Sequence, residues 1–509
     1  MTPEDKQPEI TQNQLTKKSL KKDLSRFAYV HEQTQTIATR IGTLGSGVIF
    51  LILAGVFATT QIGPEANAGF IIAAAVLGGY MALNIGANDV ANNVAPAVGS
   101  RALTLMGALV IAAIFETAGA LIAGGDVVST ISKGIIDPSL VPDSGTFIRA
   151  MMAALLSAAL WINLATYLRA PVSTTHSIVG GVMGAGIAAV GFELVNWATM
   201  AKIAASWVIS PVLGGVIAAI FLAFIKINII YRDDKIAAAK RWVPVLISIM
   251  VAAFSGYLIM KGLKRVWRPD YFTISLMSTG FFIVALMVLR PLIAKQAEGL
   301  ENRNQSLRIL FHWPLIFSAA LLSFAHGSND VANAVGPLAA ILHSASSGAI
   351  ATKVGIPFWI MFIGAVGIAA GLFLYGPRLI RTVGEQITRM NPMRAYCVAL
   401  SAAITVIIAS ALGLPVSSTH IAVGAVFGVG FFREYYTSKS ARRRKYVQKR
   451  ANASAVNKSE TNPQNNNGIS PRKLVRRSHF MTIIAAWLIT VPAAALLAGG
   501  LYLALSYFS

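Results

Sequence analysis

Charge is the scarcest property of this sequence. Asp, Glu, Lys and Arg make up 13% of its 509 residues, about half the share of an ordinary soluble domain. So thin a charged surface excludes a soluble enzyme. Acidic residues are outnumbered by basic ones, 21 against 43, for a net charge of +22. On a soluble chain that excess would suggest a nucleic-acid partner; here it is gathered between apolar runs, so none is expected. Cysteine is confined to Cys397, which excludes a disulfide scaffold and reads as a small core residue. Residues 1–40 have no apolar centre, so no cleavable leader is expected. The nucleotide-binding pattern GxxxxGK followed by Ser or Thr does not occur, so ATP is not expected to supply energy directly.

What the sequence has in abundance is apolar length. Apolar residues reach 55%, and apolar segments lie at about 42–62, 68–85, 102–123, 147–168, 177–191, 200–226, 243–260, 272–293, 313–326, 356–376, 395–412, 419–432 and 479–508. Segments of roughly 20 apolar residues span a bilayer, and their backbones must be satisfied internally, hence as helices. The expected fold is an all-α polytopic membrane protein of about 12–13 transmembrane segments, lodged in the lipid bilayer of the cell membrane. Several segments are too short to span and end in Gly, Pro, Ser or Asn, which marks them as broken or re-entrant helices. The expected organisation is a polar basic cytoplasmic arm (1–41), an extra helix (42–62), a first repeat (68–226), connecting helices (227–312) and a second repeat (313–509). The second repeat contains a cytoplasmic loop, 433–478, with 13 Lys and Arg against two Glu.

The repeat is written in polar motifs. Residues 86–96 read GANDVANNVAP and 327–337 read GSNDVANAVGP, an offset of 241; 171–176 read PVSTTH and 415–420 read PVSSTH, an offset of 244. A weaker match sets Trp207–Val208–Ile209 beside Trp487–Leu488–Ile489. Matched loops carry opposite charge character. Segment 125–146 has Lys133 and three Asp, whereas 377–394 has four Arg and one Glu; 192–199 has no Lys or Arg, whereas its counterpart is the basic loop. By the positive-inside rule the equivalent loops face opposite sides, which makes an inverted-topology repeat with a cytoplasmic N-terminus. The basic loop 261–268 falls outside in this arrangement, against the same rule.

Ionisable groups within apolar segments point to function, and Asp89, Asp330 and Glu116 are the three that stand out. Each Asp sits in Asn-Asp-Val-Ala-Asn between a Gly and a Pro, which favours local unwinding and groups hard oxygens from Asn88, Asp89 and Asn92, or Asn329, Asp330 and Asn333. That suits a dehydrated sodium ion at Asp89 and Asp330, or a proton; the alternative is that each Asp caps a half-helix. Ser173, Thr174 and Thr175, with Ser417, Ser418 and Thr419, bring hydroxyls to helix N-termini that favour an oxyanion, or act as ordinary caps. His176 and His420 either donate to that anion, shuttle protons, or make a structural hydrogen bond to a neighbouring helix. Glu116, in FETAG, has no acidic counterpart at 362–367; it either tunes the site or pairs with a Ser or Thr.

These motifs resemble the inorganic phosphate transporter family of sodium- or proton-coupled phosphate symporters, over about 68–432 and 479–508. STISKGIID (129–137) and FETAG (115–119) match its first-half pattern as well. The resemblance implies import of inorganic phosphate by alternating access between the halves, with no enzyme activity and no cofactor beyond the coupling sodium or proton. It implies essential roles for Asp89 and Asp330 and a functional one for Glu116, while Ala399 stands where many members have a second glutamate. A homodimer is compatible with the sequence, which leaves the oligomeric state open. Energetics agree with symport: one charge against about 100 mV costs roughly 2.3 kcal/mol, so a phosphate dianion enters a negative cell only with compensating cations. A symporter for sulfate would share every motif, and an anion channel would share the composition.

Overall fold

In the computed structural model the described residues are 41–63, 68–168, 170, 172–262, 267, 269–347, 355–382, 390–440 and 477–508. Two compact units divide the chain at residue 50. Of the first, residues 41–50 are described, and they are helical. They open α1 (Ile41–Thr59). There follow α2 (Ala68–Asn88), α3 (Val90–Gly99), α4 (Leu105–Ala123), α5 (Gly125–Lys133), α6 (Ser144–Tyr167), α7 (Thr174–Ala189) and α8 (Trp197–Ile225). Next come α9 (Lys235–Gly262), α10 (Tyr271–Gln296), α11 (Asn304–Leu310), α12 (His312–Ser347), α13 (Phe358–Thr382), α14 (Pro392–Ala411), α15 (Ser418–Lys439) and α16 (Arg477–Tyr507). No strand occurs among the described residues, whose sole bridge pairs Ile136 with Val195.

Every apolar segment of the sequence is a helix here. Among the described residues ten spans are long and apolar enough to cross a membrane alone, and the bent pair α11–α12 makes an eleventh. Of the expected 12–13 segments, eleven thus qualify as spans among the described residues, and two helices, α7 and α15, do not. The 16 residues of α7 are too few, and the last turns of α15 carry Arg433, Glu434 and Lys439. By contrast α10 buries only Ile293 and exposes Leu276, Val284 and Met287, a surface suited to lipid.

Unwinding at the NDVAN motifs is the expectation the structure corrects. The first motif interrupts helix only at Asp89, whose dihedrals stay helical, and the second lies inside the unbroken 36-residue α12. Their glycines serve close packing instead. A Cβ built on Gly86 would lie 1.9 Å from the Ile368 carbonyl oxygen, and one on Gly327 would lie 2.2 Å from that of Glu116. Reciprocally, Gly371 abuts the Leu83 carbonyl and Gly119 that of Phe324. So α2 packs on α13 as α12 packs on α4.

These contacts also set the register between α4 and α13 at 252 residues (116 to 368, 119 to 371), which makes Ile368, not the 362–367 segment, the counterpart of Glu116. A second reciprocal set joins α7 to α16 and α15 to α8. Gly180 meets Val491 and Gly184 meets Ala495, while Gly424 meets Pro211 and Gly428 meets Gly215. The offset of 280 (211 to 491, 215 to 495) is the one given by the two Trp motifs.

Candidate functional site

Chain breaks before α7 and α15 bring the hydroxyl motifs to the buried NDVAN segments. The breaks are held by the first Asn of each motif. Asn88 Nδ2 donates to Thr166 Oγ1 (2.8 Å) and the Ala170 carbonyl (3.4 Å), and its Oδ1 accepts from the Val172 N–H (3.4 Å). Asn329 repeats this on Ser410, the Leu414 carbonyl and the Val416 N–H, at 2.9, 3.1 and 3.2 Å. Both side chains latch the loop of their own half.

Ser173 and Ser417 are N-caps, accepting from the backbone N–H of His176 and His420. The hydroxyls of Thr174, Thr175 and Thr419 turn toward carboxylates or the opposite half. Asp89 accepts from Thr174 Oγ1 at 2.6 Å and from Thr419 Oγ1 at 3.0 Å, one hydroxyl from each half. Thr174 Oγ1 also lies 3.2 Å from Asp330 Oδ2. Thr175 donates to the Val416 carbonyl (2.9 Å), Asn92 to Thr419 (2.8 Å), and Asn333 reaches Thr174 and Thr175 (3.3 and 3.2 Å). Capping does not explain the aspartates: Asp89 makes no side-chain cap bond to α3, and Asp330 has no helix end beside it.

Two further residues join the site that sequence reasoning passed over. His326 Nδ1 lies 2.7 Å from Glu116 Oε2, and its Nε2 lies 3.1 Å from Asp330 Oδ2. Asn93 donates to Glu116 Oε1 at 2.7 Å. Glu116 and His326 are fully buried. The signal available was the doublet Asn92–Asn93, whose second member becomes Ala334 in the other half. The His176 and His420 rings lie tilted at 4.4 Å between centroids, and Trp207 stacks on His176 at 3.7 Å; His176 Nδ1 also lies 2.7 Å from Ser173 Oγ.

What this arrangement offers is hard oxygen close to buried hydroxyls. Single ligand atoms of Asp89, His326 and Asp330 fall within 4.8 Å of one another. Among the buried oxygens of the site, Asp330 Oδ1, Asn333 Oδ1 and Ser418 Oγ have no hydrogen-bond partner, and His326 Nε2 makes only its 3.1 Å ion-pair contact with Asp330 Oδ2. A buried polar atom is costly unless something satisfies it, and oxygens of this kind suit an alkali cation or, through the Ser hydroxyl, an oxyanion.

Comparison with known proteins agrees in family and fold. The Phosphate transporter family matches residues 85–498. A Helicobacter pylori protein named "Putative phosphate permease" is 46% identical, with 91% of this chain and 96% of that protein covered. A Pyrococcus abyssi protein of the same description is 36% identical over 83% and 94%. A solved structure titled "The sodium-dependent phosphate transporter" superposes with a TM-score of 0.76 at 35% identity, covering 87% of this chain and all of that one.

Proposed function

The chain belongs to the phosphate transporter family, a family of transporters and not of enzymes, and from that premise we propose that it imports phosphate by symport with sodium. Phosphate is held by the hydroxyls at the starts of α7 and α15, and cations by the carboxylates of Asp89 and Asp330. The observation that carries this reading is Asp89, whose carboxylate sits between a Thr of each half. A charge placed there is felt by both halves at once, as alternating access between them requires. The reciprocal packing of α2 on α13 and α4 on α12 supports a two-fold relation between the halves, and the opposite charge of matched loops supports its inverted sense. Sodium is favoured over the proton by the name of the related structure and by the hard-oxygen donors.

Radiolabelled phosphate uptake into proteoliposomes tests the proposal, with an imposed sodium gradient, a proton gradient or none. Accumulation above equilibrium with sodium alone is expected, blocked by excess unlabelled phosphate and arsenate more strongly than by sulfate. Downhill flux indifferent to either cation would make the protein a channel, and sulfate competing as well as phosphate would change the substrate.

A further inference from the structure

The two aspartates are matched in sequence but not in surroundings. Around Asp330 runs a buried chain: Asn93 donates to Glu116, Glu116 meets His326 Nδ1, and His326 Nε2 meets Asp330 Oδ2. The register of 241 residues for α2 against α12, and of 252 for α4 against α13, puts Ala334, Ile368 and Ile85 at the corresponding places around Asp89. All three are apolar and buried. One carboxylate is thus buttressed through one oxygen by a histidine that is itself locked. The other has no such support, and its two oxygens accept from Thr174 and Thr419 instead.

The free atoms follow the same division. With Oδ2 turned to His326 and Thr174, Asp330 keeps Oδ1 buried and unpartnered, whereas neither oxygen of Asp89 is unpartnered. We propose that Asp330 is the standing cation ligand, positioned by the Asn93–Glu116–His326 chain, and that Asp89 becomes a ligand only when phosphate takes the Thr174 and Thr419 hydroxyls. Loss of those donors leaves a buried carboxylate uncompensated, which a second cation relieves. Phosphate thereby recruits that cation, a coupling that is reciprocal by linkage. The inference rests on the symport reading above and adds an order to it. His326 is a positioning residue in this scheme: it acts on the cation through Asp330.

The test uses full-length protein in detergent, and follows the melting temperature against sodium concentration with and without phosphate. Sodium alone is expected to stabilise wild type, and phosphate to strengthen that response. Asp330→Asn is expected to abolish the response to sodium alone. Asp89→Asn is expected to keep it and to lose the strengthening by phosphate. Glu116→Gln and His326→Gln are each expected to raise half-saturating sodium by about tenfold, the scale of one hydrogen bond to a charged group.

Because either single change leaves a buried partner, Asn93→Ala/Glu116→Ile/His326→Ile supplies the residues the other half already packs. It is expected to melt near wild type without sodium and still to need the higher sodium concentration, a shift that a merely structural role would not produce. Equal loss in both Asn variants, or wild-type half-saturation in the triple variant, overturns the inference. A wild type that shows no sodium response and no sodium-driven uptake overturns the symport reading itself.

Discussion

At the scale of single residues, glycine carries more of this structure than its place in the motifs suggests. Beside Asp and Pro, Gly86 and Gly327 read as hinges, yet each lets a helix approach a backbone carbonyl of the other half. That contact is tertiary and leaves no mark on local sequence. Gly119 is the cleanest probe, since a Cβ there would lie 2.0 Å from the Phe324 carbonyl oxygen. Gly119→Ala is expected to cost about 3 kcal/mol or more, seen as lost monodisperse protein after extraction. Gly280→Ala, with nothing within 4 Å, should leave the yield unchanged. Asp89, Asp330 and Glu116 were legible because charge in an apolar run is conspicuous. Asn93 and His326 were hidden because their importance lies in a partner more than twenty or two hundred positions away.

At the scale of helices, local rules worked where local chemistry decides. Ser173 and Ser417 start α7 and α15 as Ser caps do, and every apolar run became helix because lipid permits little else. The same rules overestimated breakage at NDVAN, where packing against α4 and α13 keeps the helices continuous through Gly and Asn. The start of α6 offers a measurable case. Asp143 accepts from Thr146 N–H at 2.9 Å and from its hydroxyl at 2.7 Å, and these donors hold its carboxyl below the usual range. Because the folded value is depressed, the stabilisation is present above the ordinary carboxylate pKa and is lost as pH falls through the folded one. Asp143→Ala is expected to cost about 1 kcal/mol at neutral pH and Asp143→Asn only tenths. Thermal melts on acidification should show the wild-type advantage over Asp143→Ala shrinking.

At the scale of the whole molecule, duplication was legible from two motif pairs, whereas the exchange of partners between halves was not, because sequence order says nothing about which helix faces which. The proposed sidedness is open to a direct check. With Cys397 replaced, a cysteine at position 137 is expected to react with an impermeant maleimide from outside, and one at 458, which lies outside the described residues, only after permeabilisation. Labelling with the reverse sidedness would invert the orientation. The exchange of partners also bears on synthesis. Gly86 and Gly119 in the first half, like Gly180 and Gly184, close onto backbone belonging to the second. At roughly 5–20 residues per second, a nascent first half waits tens of seconds for the segments that cover these grooves. Throughout that interval its carbonyl-facing glycine surfaces lie open to lipid or to insertion factors, and a chain truncated between the halves has no partner to close them, which makes it a substrate for membrane quality control.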